Sequence, residues 1–136
     1  MPDQTASAIG TRIEDLYGRP LAELRAHAAA TPPGMLSALL DGLSDLQFTE
    51  RRIGFERDRL RQLADPERTI GRVDAGHVLD CARRLAEAVA GRDALAQTLT
   101  AVLGGLQRIP EPEAPPPAPA PDPIPEPPRV PAAPTR

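Results

Sequence analysis

The sequence predicts an all-α protein made of a short N-terminal helical segment, a long antiparallel helical hairpin of coiled-coil type, and a disordered tail. We assign these parts to residues 1–30, 31–109 and 110–136. Leucines recur at heptad spacing in the body, and 13 of the 18 prolines fall in the tail. Proline fixes φ and has no backbone N–H, so the tail cannot form helix interior or central strand. We expect it to adopt polyproline II conformation.

The N-terminal segment is expected to contain two short helical pieces. Thr11 and Glu14 have the spacing of a capping box, in which each side chain accepts the backbone N–H of the other residue. Pro20 cannot lie inside a helix without a kink, so we expect a break near Gly18 and a new helical start at Pro20. The sequence leaves open whether this segment shares a core with the hairpin.

The first hairpin helix is expected to begin at Thr31, a plausible N-cap residue before two prolines. Its heptad positions hold Leu36, Leu39, Leu43, Leu46, Ile53 and Leu60. One heptad position then becomes polar, at Glu50 and Arg57. Gly42 and Gly54 are each expected to weaken the helix by up to about 1 kcal/mol relative to alanine.

The second hairpin helix is expected to follow an N-terminal signal at Asp65-Pro66-Glu67, with Asp74 as the cap of its long part. Its apolar stripe holds Val78, Cys81, Leu85, Ala88, Leu95, Leu99, Val102, Leu106 and Ile109. A neighbouring strip of Ala82, Ala86, Ala90 and Ala94 would permit close helix approach. The short connection predicts antiparallel packing. That topology predicts pairs between Arg57 and Asp80 and between Glu50 and Arg92.

Composition favours a body that completes its core by association. The apolar fraction is 40%, but 22 of those residues are alanine, and Tyr17, Phe48 and Phe55 are the only aromatics. We therefore expect self-association, as a homo-oligomer, or a partner helix. The predicted helix–helix interface comprises Leu36, Leu39, Leu43, Leu46, Ile53, Leu60, Val78, Leu85, Leu95, Leu99, Val102 and Leu106.

Charge and hydropathy argue against several classes of partner. The net charge is −3, and all 16 basic residues are arginine. This balance argues against non-specific binding to nucleic acid or to acidic membranes. The chain shows neither a run of 18 apolar residues nor a secretory N-terminal pattern, so we expect no membrane association and a cytoplasmic location. Cys81 is the only cysteine, so no intramolecular disulfide is expected.

One arginine-rich stretch carries an alternative function. Residues 50–61 hold five arginines against three acids. As a DNA-binding helix, this stretch would place Arg51, Arg52, Arg59 and Arg61 on phosphates or guanine edges. The mixed signs instead favour a solvated helix face with ion pairs between neighbouring turns.

No catalytic, cofactor or metal site is predicted. His77 and Cys81 share a helical face and Asp74 and Asp80 flank them, but a structural zinc site needs four ligands, usually from two elements. Gly71 and Gly76 have the spacing of a phosphate-binding loop, yet His77 stands where that loop needs lysine. A His77–Cys81 nucleophile pair lacks an orienting third group.

These observations predict a non-enzymatic structural or adaptor protein that acts through helix–helix association. The proline-rich tail would serve as a spacer about 80 Å long if it is fully extended in polyproline II. Its P-x-x-P runs offer the alternative of a ligand for an aromatic groove. The alternative for the whole protein is a regulatory DNA-associated protein that uses the arginine-rich helix.

Overall fold

Four α-helices make up the computed structural model, which describes residues 5–106. They are α1 (Thr5–Tyr17), α2 (Leu21–Ala30), α3 (Met35–Leu63) and α4 (Arg72–Gly105). No strand occurs within this described range, so the all-α prediction is confirmed. The predicted proline-rich tail, residues 110–136, lies outside the described residues.

The antiparallel pair of α3 and α4 is the framework of the fold, with 29 and 34 residues. Its register follows from Gly42, which approaches Leu99, and from Glu56, which contacts Cys81 and Arg84. The two helices are joined by a turn and not by a helical start at Asp65, whose Oδ1 accepts the Glu67 N–H at 2.9 Å. An Asx-type turn of this kind competes with helix formation.

The expected break between the first two helices is present, but the capping box is not where the sequence placed it. Gly18 adopts a left-handed conformation with φ of 67°, and Glu14 Oε1 accepts the Leu21 N–H at 2.8 Å, so Glu14 caps α2. Thr11 lies inside α1, where its hydroxyl donates to the Ser7 carbonyl. Helix α1 extends further back because Glu50, on α3, accepts the Ala6 N–H at 2.9 Å.

Thr31 ends α2 and does not begin α3. It has extended backbone angles (φ −120°, ψ 156°), and its hydroxyl donates to the His27 carbonyl at 3.0 Å. The residue before a proline is driven out of the helical region, and Pro32 follows directly. Helix α3 therefore begins later than predicted, at Met35 after Gly34.

The N-terminal helices share one core with one end of the hairpin. This core joins α1 and α2 to the first half of α3 and the last half of α4. Its buried members are Ala6, Ile9, Ile13, Leu24, Leu39, Leu40, Leu43, Leu46, Leu99 and Leu103. At the other end, near the α3–α4 turn, the molecule is only two helices thick. None of the four helices is long and apolar enough to cross a membrane.

Candidate association surface and neighbouring sites

The predicted interface residues are used within the chain, between α3 and α4. Five of them are buried, namely Leu39, Leu43, Leu46, Ile53 and Leu99. The other seven are half-buried: Leu36, Leu60, Val78, Leu85, Leu95, Val102 and Leu106. A surface for association therefore has to be sought on other faces of the helices.

The two hairpin helices approach each other closely at a glycine, Gly42, and most of the predicted alanine strip is exposed. A Cβ placed on Gly42 would lie 2.8 Å from Leu99 Cδ2. Ala86, Ala90 and Ala94 are exposed instead. The glycine that was expected only to weaken α3 is thus the residue that lets Leu99 pack against it.

Both phenylalanines of the chain lie on the solvent side of α3. Phe48 and Phe55 are 62% and 63% exposed. Each comes two residues after a buried core residue, Leu46 or Ile53, which is a rotation of about 200° around the helix. Their seven-residue spacing aligns them on one face. Sequence reasoning counted them as aromatics but did not place them, although this offset from the leucine heptads was the available signal.

These phenylalanines belong to a second heptad pattern, which we call the outer seam. Asp41, Phe48 and Phe55 recur by sevens at one position of the outer seam, and Asp45, Arg52 and Arg59 recur by sevens at the other. All six are exposed. Steps of three and four residues place them in one row along α3. The row is acidic toward the start of the helix and basic toward its end.

The exposed charge of residues 50–61 differs from the charge counted in the sequence. Glu50 caps α1 and Glu56 is 5% exposed, so both carboxylates turn toward the rest of the molecule. Asp58 pairs with Arg61 at 3.0 Å. Within residues 5–106, no carboxylate lies within salt-bridge distance of Arg51, Arg52 or Arg59, which are all exposed. The outward face of this stretch is therefore strongly basic.

A polar cluster joins the two hairpin helices near this basic stretch. Glu56 Oε1 accepts Arg84 Nε–H at 3.0 Å, and Cys81 Sγ lies 3.3 Å from both Oε2 and the backbone oxygen of Glu56. Cys81 is fully buried, and the Arg84 side chain is 41% exposed. Each buried polar group thus has a partner, which is the condition for burying a carboxylate without a large penalty.

The electrostatics of this cluster suit a structural role. Burial alone would raise the pKa of Glu56, but hydrogen bonds from Cys81 and Arg84 and the charge of Arg84 lower it overall. Burial and the adjacent carboxylate raise the pKa of the Cys81 thiol. A nucleophilic or metal-binding cysteine needs the opposite shift, because the thiolate is the reactive form.

The acids of the two ion pairs expected across the hairpin have other partners. Asp80 lies 3.6 Å from Arg83 on its own helix, and Glu50 binds the start of α1. Among the described residues, Glu56 and Arg84 form an ion pair across the hairpin, one turn from the expected Arg57–Asp80 register.

The proposed neighbours of His77 are not gathered into a site. Asp74 accepts the Gly71 N–H at 3.1 Å and an Arg68 N–H at 3.0 Å, while Cys81 faces Glu56. The Gly71 hydrogen bond and Arg68 lower the pKa of Asp74. No group of three or more histidine, cysteine or acidic side chains among residues 5–106 could hold a metal ion.

A cleft of about 480 Å³ opens where α1, α2 and α3 meet. Its apolar wall is formed mainly by Tyr17, Leu24, Pro32, Met35 and Leu36, and Arg19 and His27 add polar groups. Met35 is 51% exposed. The residues that line the cleft come from three separate segments of the sequence, so no local sequence pattern could predict it.

Comparisons of the chain with protein-family models, curated proteins and solved structures returned no match.

Proposed function

We propose that this protein is a non-catalytic adaptor that associates with a second copy of itself through the outer seam of α3. The observation that carries the proposal is the exposure of Phe48 and Phe55, the only two phenylalanines of the chain, on the side of α3 opposite the core. Aromatic side chains supply a large share of the apolar area in protein interfaces. Heptad spacing is the pattern by which one helix packs along another.

The charge pattern selects a second copy as the occupant of the outer seam. Asp41 and Asp45 lie toward the start of α3, and Arg52 and Arg59 toward its end. Two α3 helices packed antiparallel bring the acidic end of each seam opposite the basic end of the other. A two-fold symmetric pairing of this kind is the commonest arrangement of homo-oligomers. Charge complementarity would then set the direction of packing.

The proline-rich segment then acts as an arm on each copy. It follows α4, whose last turn lies at the four-helix end of the molecule. Polyproline II segments are semi-rigid, so two arms on one dimer would hold bound material apart from the helical body. This adaptor role needs no catalytic group.

Light scattering on the full chain over a concentration series tests the association. We expect the mass of a dimer at high concentration and of a monomer on dilution. The double substitution Phe48→Ser and Phe55→Ser should abolish the dimer without loss of helix content. Val73→Ser, at a 71% exposed residue of α4, is the matched control and should leave the dimer intact. A monomer at every concentration of the unmodified chain would refute the proposal.

An exchange of charges tests whether a second copy of the chain binds to the outer seam. One variant carries Asp41→Arg and Asp45→Arg, and the other carries Arg52→Asp and Arg59→Asp. Each variant alone has a seam of one sign and should be monomeric, whereas an equimolar mixture should form a heterodimer. Dimers in either variant alone, or none in the mixture, would contradict antiparallel pairing of the outer seams.

A second candidate function, DNA association, is supported by the inward orientation of Glu50 and Glu56. It leaves Arg51, Arg52 and Arg59 exposed on one side of α3 without a salt bridge to a carboxylate of residues 5–106, and Arg61 pairs with Asp58. Such a row could follow a phosphate backbone. The overall charge of −3 acts against it, because long-range repulsion slows the approach of a polyanion.

Fluorescence anisotropy with labelled duplex DNA at low salt tests this candidate. Binding should weaken steeply with salt and be lost when Arg51, Arg52 and Arg59 are each changed to glutamate. Arg12→Glu, at an exposed residue of α1, is the control. The absence of binding at low salt would eliminate this function.

A further inference from the structure

We propose that the start of the proline-rich segment, residues 110–117, docks into the cleft formed by α1, α2 and α3 of its own chain. This contact uses a different surface from the outer seam and does not rest on the self-association proposed above. Three features support this contact: α4 ends next to the cleft, the cleft wall is apolar, and Arg19 of the cleft is opposite in charge to two acids of the segment.

Helix α4 ends beside this cleft. Gly42 of α3 lies against Leu99 of α4. In an antiparallel pair, seven residues back along α3 and seven forward along α4 lead to Met35 and Leu106. Leu36, Tyr17 and Leu106 all pack against the same buried cluster, as this register requires. The chain therefore leaves the described structure next to the cleft wall.

The connection between α4 and Pro110 is long enough for the proline-rich segment to reach the cleft and short enough to favour binding there. Residues 107–109 precede Pro110, and four peptide steps from Leu106 span at most about 14 Å. A short tether of this length gives an effective concentration in the millimolar range. A contact too weak to form between separate molecules can therefore be well populated within one chain.

The cleft has the chemistry that polyproline segments bind. Proline rings pack on aromatic and apolar walls, here Tyr17, Pro32 and Met35. A polyproline backbone makes no internal hydrogen bonds, so its carbonyls accept from neighbouring donors. The Tyr17 hydroxyl and the His27 ring line the cleft and form no side-chain hydrogen bond with residues 5–106. They are suitable donors.

Charge favours this part of the proline-rich segment over later parts. Glu111 and Glu113 are its first two acids, and the run Pro115-Pro116-Pro117 follows after Ala114. Arg19 lines the cleft and forms no salt bridge with the described residues. An Arg19–carboxylate contact at the edge of the cleft would fix the direction in which the segment enters. The free part of the arm would then begin near residue 118.

Tyr17 provides a direct test, because it is the only tyrosine and the chain has no tryptophan. Its fluorescence therefore reports on the cleft alone. We would measure acrylamide quenching of the full chain and of one variant, which we call the 111–117 variant. It carries Glu111→Arg, Glu113→Arg, Pro115→Ser, Pro116→Ser and Pro117→Ser. A contact whose dissociation constant equals the millimolar effective concentration is half-formed, so the quenching constant should rise by about twofold in the 111–117 variant.

A control variant carries matched changes further along, at Asp122→Arg, Glu126→Arg, Pro127→Ser, Pro128→Ser and Pro131→Ser. It should quench like the unmodified chain. Equal quenching of all three proteins would overturn the proposal. Protection of Tyr17 that disappears on dilution would show that a segment from a second chain fills the cleft, which would also overturn docking within one chain.

Discussion

Glu56 is a charged residue that the structure buries. It is an acid in an arginine-rich stretch, yet it is 5% exposed and bound by Cys81 and Arg84. The pair links α3 to α4 in the half of the hairpin that α1 and α2 do not cover. Its contribution is therefore to fix the register of the helices, a role that buried polar pairs fill in other helical assemblies.

We expect a pH-dependent effect of Glu56→Gln. Folding lowers the pKa of Glu56, so its carboxylate stabilises the folded chain above its ordinary pKa of 4.5 and loses this effect as the pH falls through the lowered value. Urea unfolding should show the variant to be less stable than the unmodified chain at about pH 7, with the difference closing at an acidic pH below the lowered pKa of Glu56. Asp58→Asn, in an exposed pair, is the control and should be nearly neutral at both values.

We expect opposite effects of alanine at two glycines of α3. Gly54→Ala meets nothing within 4 Å and should raise the free energy of unfolding by about 0.5–1 kcal/mol through helix propensity. Gly42→Ala gains the same propensity but must displace Leu99, which is 5% exposed. Overpacking of this kind costs about 1–3 kcal/mol, so we expect a net loss of about 1 kcal/mol. Urea unfolding compares the two, and equal gains would contradict the close approach.

Helices α1 and α2 depend on the hairpin for their stability. At 13 and 10 residues they are too short to be stable alone in water. Helix α1 buries Ile9 and Ile13 against the hairpin, and its first turn is capped by Glu50. These contacts hold the first turn of the helix before Thr11, the residue that the capping pattern predicted as its N-cap.

We therefore expect Ile13→Ala to destabilise the whole body and not α1 alone. Ile13 is 0% exposed, and such truncations cost about 2–5 kcal/mol. Thermal unfolding followed by circular dichroism should remain a single transition at a lower temperature. Val73→Ala, at an exposed residue, should change stability by no more than about 0.5 kcal/mol. A separate early transition for the N-terminal helices would contradict the shared core.

At the scale of the whole molecule, we expect the association to differ between two salts at equal ionic strength. The complementary charges of the outer seam are screened by sodium chloride, since the Debye length falls from about 10 Å at 0.1 M to about 3 Å at 1 M. The contact of the phenylalanines is strengthened by sulfate. At equal ionic strength both salts screen these charges, so light scattering should show dimerisation to be weaker in concentrated sodium chloride than at low salt, and stronger in sodium sulfate than in sodium chloride. Insensitivity to sodium chloride would argue against charge-directed pairing.

The sequence by itself determined the helical class, the break near Gly18 and the buried stripe of α3. These follow from local rules, because leucine periodicity marks a buried face and proline or glycine interrupts a helix. The same rules failed at Thr31, where two competing capping interpretations exist and the following proline decided in favour of a helix end.

Only the tertiary structure decided which polar residues are available to solvent. Glu50 and Glu56 resemble surface acids in the sequence, and packing against α1 and α4 removes both from the exposed face. The same packing covers the leucine stripes and leaves Phe48 and Phe55 exposed to solvent. Periodicity shows that residues share a face, but whether a neighbouring helix covers that face depends on contacts between residues distant in the chain.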